Sequence, residues 1–204
     1  GGTAVMRGAR GRAEHFLRGA KGAGAGGSDV RRNLASVLNQ QERLDEALPM
    51  FEALEAEDGD DPIIPGTRAL ILDKLGRHDE AREIQQRLTR TRGDRPHYWI
   101  SLGHNLRAGG DVEAAVAAYR SAIAIDEECG EAWWGLASIK SRVLTDADVD
   151  HMKRAIGIAI DERNSAPLHF ALARALHDRA RYREAFDHYA EGNRQRAESL
   201  DYNA

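Results

Sequence analysis

Residues 168–193, LHFALARALHDRARYREAFDHYAEGN, hold three of the chain's eight histidines, His169, His177 and His188, among acids and aromatics. Imidazole nitrogens ligate metals and move protons near neutral pH, so three of them in one short stretch is a composition that metal and catalytic sites use. The spacing works against that chemistry. Leucines and alanines recur every three or four residues, which reads as two amphipathic helices broken at Ala180-Arg181. On helical geometry His169 and His177 sit about two turns apart on neighbouring faces of the first helix, and His188 falls on the second, directed away from the first. Zinc needs its ligands converging about 2 Å from one point. The stretch is therefore expected to carry polar or half-buried histidines and no metal.

Other chemistry-bearing patterns are scarce. There is no His-Glu-x-x-His, no Gly-x-Ser-x-Gly and no phosphate loop. The run KGAGAGG at 21–27 has no Gly-Lys-Ser/Thr ending and no strand ahead of it, so it is expected to be a flexible connection. Cys129 is the single cysteine, which excludes an intrachain disulfide and a cysteine-based zinc site and fits a reducing compartment, the cytoplasm. It has no assignable histidine partner and reads as structural. The net charge of -4 argues against a nucleic-acid binder that works by neutralising phosphates. No apolar run approaches the roughly 20 residues of a membrane span. With 42% hydrophobic and 30% charged residues the chain is expected to fold, without a cofactor, catalytic residues or a membrane partner.

The positioning elements are repeated helices. In WISLGHNLRAGGDVEAAVAAYRSAIAID, Trp99, Leu102, Gly103 and Leu106 recur at helical spacing, Gly109-Gly110-Asp111 interrupts, and Ala115, Tyr119 and Ala122 resume. This alternation of large, small and aromatic residues resembles the tetratricopeptide repeat (TPR), a helical hairpin of 34 residues. Counting by that period leads back to Ala69, Leu72 and Ala81, then to Leu34, Ala35, Leu38, Ala47 and Phe51, and forward to Trp133, Leu136 and Ala137. The implied organisation is a helical half-repeat over 1–20, the connection at 21–27, repeats at 28–61, 62–95, 96–129 and a divergent 130–165, and a fifth at 166–204 with a helical extension. In the divergent repeat Thr145 and Asp148 form a capping box for a helix over about 146–160, followed by a polar loop from Asp161 to Ser165. The expected fold is an all-α, right-handed TPR-type solenoid of antiparallel helix pairs, stabilised by nearest-neighbour packing.

The resemblance also implies where a partner binds. In TPR proteins the first helix of each hairpin lines a concave groove that takes a peptide or helix. Carried onto this chain, the groove residues are Arg32, Ser36, Asn39, Leu70, Lys74, His104, Arg107, Trp134, Ser138, Arg142, Phe170, Arg174 and His177. Cations, amides and two aromatics suit an acidic or carboxylate-ended peptide held by charge-assisted hydrogen bonds. The implied function is a non-catalytic protein-interaction scaffold, with self-association through the terminal helices as a further expectation. A narrower resemblance covers 131–204, most specifically LHFALA and HYAEGN. It is to the region that precedes the catalytic domain in bacterial TPR-sulfotransferase fusions. The sulfonate-donor loop of those enzymes is absent here, so the resemblance implies a recruiting or substrate-presenting arm.

Overall fold

A computed structural model describes residues 28–57, 61, 63–139, 143–157 and 162–201. The half-repeat expected over 1–20 and the connection at 21–27 lie outside these. The described residues form helices and turns: α1 (Ser28–Gln40), α2 (Leu44–Glu57), α3 (Ile63–Lys74), α4 (His78–Thr91), α5 (Pro96–Ala108), α6 (Val112–Ile125), α7 (Gly130–Ala137), α8 (Asp146–Gly157), α9 (Glu162–His177) and α10 (Tyr182–Asp201). Among them no helix is long and apolar enough to cross a membrane. The chain divides into two compact units, Gly1–Leu88 and Thr89–Ala204.

Four hairpins share one turn. The amide of Arg43 donates to the Leu38 carbonyl at 3.0 Å, Arg77 to Leu72 at 2.9 Å, Asp111 to Leu106 at 2.9 Å and Arg181 to Leu176 at 3.0 Å. Each bond reaches five residues back across a left-handed residue, at Glu42, Gly76, Gly110 and Ala180. This is the Schellman closure, which satisfies carbonyls that a helix end would otherwise leave open. Glycine fills the left-handed position without steric cost at Gly76 and Gly110, where φ is +77° and +85°. Three of the turns then start the next helix with the same ion pair, Arg43 to Glu46, Arg77 to Glu80 and Arg181 to Glu184.

In the first unit Leu34, Ala35 and Leu38 of α1 close against Ala47, Phe51 and Leu54 of α2, all at most 4% exposed. α3 packs on α2 and buries Ile64, Ala69, Ile71 and Leu72. Small residues at Ala35, Ala47 and Ala69 let the helix axes approach, and the larger ones fill the space between.

The second unit is built round Tyr119 of α6, which has no exposed surface. A Cβ added at Gly103 of α5 would meet its ring at 2.6 Å, and one added at Gly135 of α7 at 2.5 Å. The ring is thus held between two helix backbones that only glycine allows so close. Trp99 and Trp133 repeat another device. Each indole donates at 2.9 Å to the carbonyl six residues earlier, Gly93 and Glu127, which ties the hairpin's first helix to the turn before it.

The regular pattern fails after α7, which ends at Ala137. Two arginines replace the missing helical turns. Arg120 grips Asp148 with two bonds of 2.6 and 2.7 Å and donates to the Val143 carbonyl at 3.2 Å. Arg179 reaches the Leu144 carbonyl at 2.8 Å and Asp146 at 2.6 Å. The expected capping box is present. The Asp148 amide donates to Thr145 Oγ1 at 3.2 Å, and Asp148 Oδ2 accepts from the Thr145 amide at 2.7 Å. The stretch from Asp161 to Ser165, expected as a loop, is different: α9 already begins at Glu162 and carries Pro167 inside it. A proline in sequence reads as a helix start because its ring and missing N–H suit the first turn. Here one more turn precedes it.

Candidate functional site

The groove residues fall in both units, and most of their charges are already answered. In the first unit Arg32 of α1 pairs with Asp61, and Lys74 at the end of α3 donates to Glu42 at 2.8 Å. The Ile63 backbone amide and Arg32 together hold the Asp61 carboxyl below the usual carboxylate range. Ser36 and Asn39 lie half-buried on α1, and Leu70 stands exposed on α3.

In the second unit Trp134 of α7 and Phe170 of α9 come together, ring centroids 5.9 Å apart and tilted by 55°. Trp134 stays 40% exposed, so the pair offers an aromatic surface to water. Phe170 is braced from behind by Gly192 of α10, where an added Cβ would lie 3.0 Å from the ring. One turn along α9, Arg174 pairs with Asp178 at 3.3 Å. One turn along α7, the Ser138 hydroxyl donates to the Trp134 carbonyl at 2.7 Å and so is turned toward its own helix. His177 meets the Tyr182 ring edge-on at 5.2 Å.

His104 of α5 is held from two sides. Its Nδ1 lies 2.8 Å from the Tyr119 hydroxyl, and its Nε2 lies 3.6 Å from Glu131. Burial pushes the Tyr119 phenol up, against an opposing pull from the Arg107 guanidinium. The His104 contact holds the Glu131 carboxyl low. Arg107 has no carboxylate partner in an ion pair among the described residues. Arg142, the remaining groove residue, lies outside the described residues.

The opening histidines are corrected in one respect. His188 does not point away from the first helix of its hairpin: its Nδ1 lies 3.0 Å from Nδ1 of His169, with the rings 5.1 Å apart. His169 is only 7% exposed. Helical spacing fixes faces only within one helix, and in the packed hairpin the face of α10 that carries His188 meets the face of α9 that carries His169. Burial and the neighbouring imidazole lower the His169 pKa, and burial and Lys153 lower that of His188, which favours the neutral rings and one Nδ1–H donating to the other Nδ1. Among the described residues no three His, Cys, Asp or Glu side chains gather closely enough to hold a metal ion. Cys129 is buried, and burial raises its thiol pKa, which suppresses thiolate chemistry.

Family models of the tetratricopeptide repeat match residues 38–103 and 100–139. Residues 38–139 are tetratricopeptide repeats. Solved structures resemble the fold over most of the chain. MamA from Desulfovibrio magneticus RS-1 is 14% identical, with 84% of this chain and 96% of that one covered and a TM-score of 0.60. TTC0263, a thermophilic TPR protein in Thermus thermophilus, is 21% identical over 86% and 94%, with a TM-score of 0.59. BtubC from P. vanneervenii is 15% identical over 95% and 90%, with a TM-score of 0.65. At these identities the likeness establishes the fold, a TPR α-solenoid of antiparallel helix pairs. No curated protein matches the sequence.

The sequence signals missed two arginines. Arg120 and Arg179 fall at ordinary solvent-facing positions of the repeat, and nothing in the local pattern marks them as straps for the segment between α7 and α8.

Proposed function

We propose that the chain is a non-catalytic protein-interaction scaffold that holds a peptide or protein segment on the first-helix face of its repeats. The observation that carries this reading is the exposed Trp134–Phe170 pair. An aromatic surface backed by a rigid glycine contact suits an apolar anchor side chain, the kind of feature on which binding energy concentrates. The charges beside it refine the partner. Arg32, Lys74, His104 and Arg174 each lie against an internal carboxylate, so an acidic ligand gains from them only by exchanging one weak surface pair for another. Arg107, which lies against the Tyr119 hydroxyl and has no ion-pair carboxylate among the described residues, is the better donor to a ligand carboxylate. The fitting partner is a segment with one large apolar residue and an acidic group.

A second reading takes the same chain as the recruiting or substrate-presenting arm of a TPR-sulfotransferase. It rests on the resemblance of the runs LHFALA and HYAEGN, which meet within one hairpin through His169 with His188 and Phe170 with Gly192. Their shared wording then has a packing reason within one hairpin. Under either reading, fluorescence anisotropy against a library of acidic peptides with single aromatic or aliphatic residues should find ligands. Trp134→Ala and Arg107→Glu should each weaken them by about tenfold or more. Binding unchanged in both variants would remove the groove assignment.

A further inference from the structure

α10 has a second face that this chain leaves uncovered. Its inner side is committed to the hairpin: Ala185 is 2% exposed, Gly192 is buried, and His188 and Tyr189 are half-buried. Outward stand Tyr182, 62% exposed, and Phe186, 70% exposed. Helical spacing carries the same stripe on through Ala190, Asn193 and Ala197, all exposed. The aromatics lie at one end of the helix and the small residues at the other.

The matching positions of an earlier hairpin show what such a face receives. Val112 and Val116 begin α6 as Tyr182 and Phe186 begin α10, directly after the same Schellman turn. Val116, the counterpart of Phe186, packs against the core beside α7, whereas Val112, the counterpart of Tyr182, stays 41% exposed. The face is one that accepts another helix.

We propose that the occupant is α10 of a second copy, lying antiparallel across a two-fold axis near Ala190. Charge decides the partner and its direction. Arg183, Asp187, Arg194 and Glu198 follow one flank of the stripe. In the antiparallel pairing Arg183 faces the partner's Glu198 and Asp187 faces the partner's Arg194, and symmetry makes each pair twice. In a parallel two-fold pair this flank would lie against the partner's other flank, and both charge pairs would be lost. Shape agrees: Phe186 falls over the partner's Asn193 and the partner's Ala197, while Ala190 lets the two backbones approach at the axis. Within one chain Arg194 lies between Glu191 at 2.5 Å and Glu198 at 2.6 Å, so the pairs across the axis form by exchange with these exposed pairs, and the apolar contact of Phe186 supplies most of the affinity. A helix of 20 residues spans about 30 Å, so the interface belongs to the small, reversible class. The proposal rests on the outer face of α10 and is independent of the peptide-binding reading.

Sedimentation equilibrium of the whole chain, from low micromolar to high micromolar concentration, tests it. The wild type is expected to pass from monomer to dimer. Phe186→Glu should weaken the dimer by at least about tenfold, and Arg183→Glu should weaken it through repulsion from Glu198. The exchange Arg183→Glu with Glu198→Arg should restore it. Circular dichroism and thermal unfolding, unchanged in these exposed-site variants, separate lost association from lost folding. A chain that stays monomeric throughout, or a dimer indifferent to Phe186→Glu and Arg183→Glu, overturns the proposal. Trp134→Ala should leave the dimer intact, which keeps its failure distinct from that of the groove.

Discussion

Replacing Gly135 with alanine adds one methyl group against the most confined side chain of the second unit. That methyl would sit 2.5 Å from Tyr119 Cε1 and 2.8 Å from two further ring atoms. Ordinary carbon contacts lie about 1 Å farther apart, and the ring has nowhere to go. Gly103 closes its other side, where an added Cβ would stand at 2.6 Å, and the hydroxyl is fixed to His104 at 2.8 Å. Relief must come from moving α7 away from α6, which loosens Trp133 and Leu136 together. Overpacking of this kind costs about 3 kcal/mol at its upper range. Alanine's better helix propensity returns about 1 kcal/mol. The expected net loss is about 2 kcal/mol, read from urea unfolding by tryptophan fluorescence, for which Trp133 and Trp134 are adjacent reporters. Tyr119→Leu frees space beside the ring's former position, so the double variant should lose about 1 kcal/mol less than the two single changes summed. A Gly135→Ala protein as stable as the wild type, or strictly additive with Tyr119→Leu, would refute the close-approach account.

Asp148→Asn tests the strap between α7 and α8. Asp148 is 8% exposed and its carboxylate accepts from Arg120 twice and from Thr145 twice, so the change should cost about 3 kcal/mol and release α8 amides in hydrogen exchange; full protection of α8 would count against it. A second expectation concerns acid. The lowered pKa values of His169 and His188 mean that the unfolded chain binds protons more readily than the folded one as pH falls below the ordinary histidine value of 6.5. Stability from this pair is therefore complete above that pH and declines below it, by up to about 1.4 kcal/mol per pH unit for each histidine. His188→Gln should flatten the dependence of the urea midpoint on pH, and an unaltered slope would show that the pair does not contribute.

Much of the fold was readable because the repeat states it several times. Leu38, Leu72, Leu106 and Leu176 each accept the turn bond that ends a first helix, and a fixed period preserves that role along the chain. The capping box at Thr145 was legible for the same reason, since it depends only on residues three apart. The candidate site was less legible. Helical phase picked out Trp134 and Phe170 on separate helices, but their contact depends on how α7 and α9 pack. The same phase could not foresee that Arg174 would be paired with Asp178, or that the Ser138 hydroxyl would turn to its own backbone.

The sequence by itself determined the hairpins, their turns and the small residues where helices cross, because these follow from bonds and spacings within one or two turns of helix. Only the tertiary structure decided which side chains meet across elements. The packing of α10 on α9 brought His188 to His169, the early end of α7 recruited Arg120 and Arg179, and the Tyr119 ring made Gly103 and Gly135 into a single constraint. Those outcomes depend on crossing angles and on helix ends, which are set by the fit of whole surfaces rather than by local periodicity.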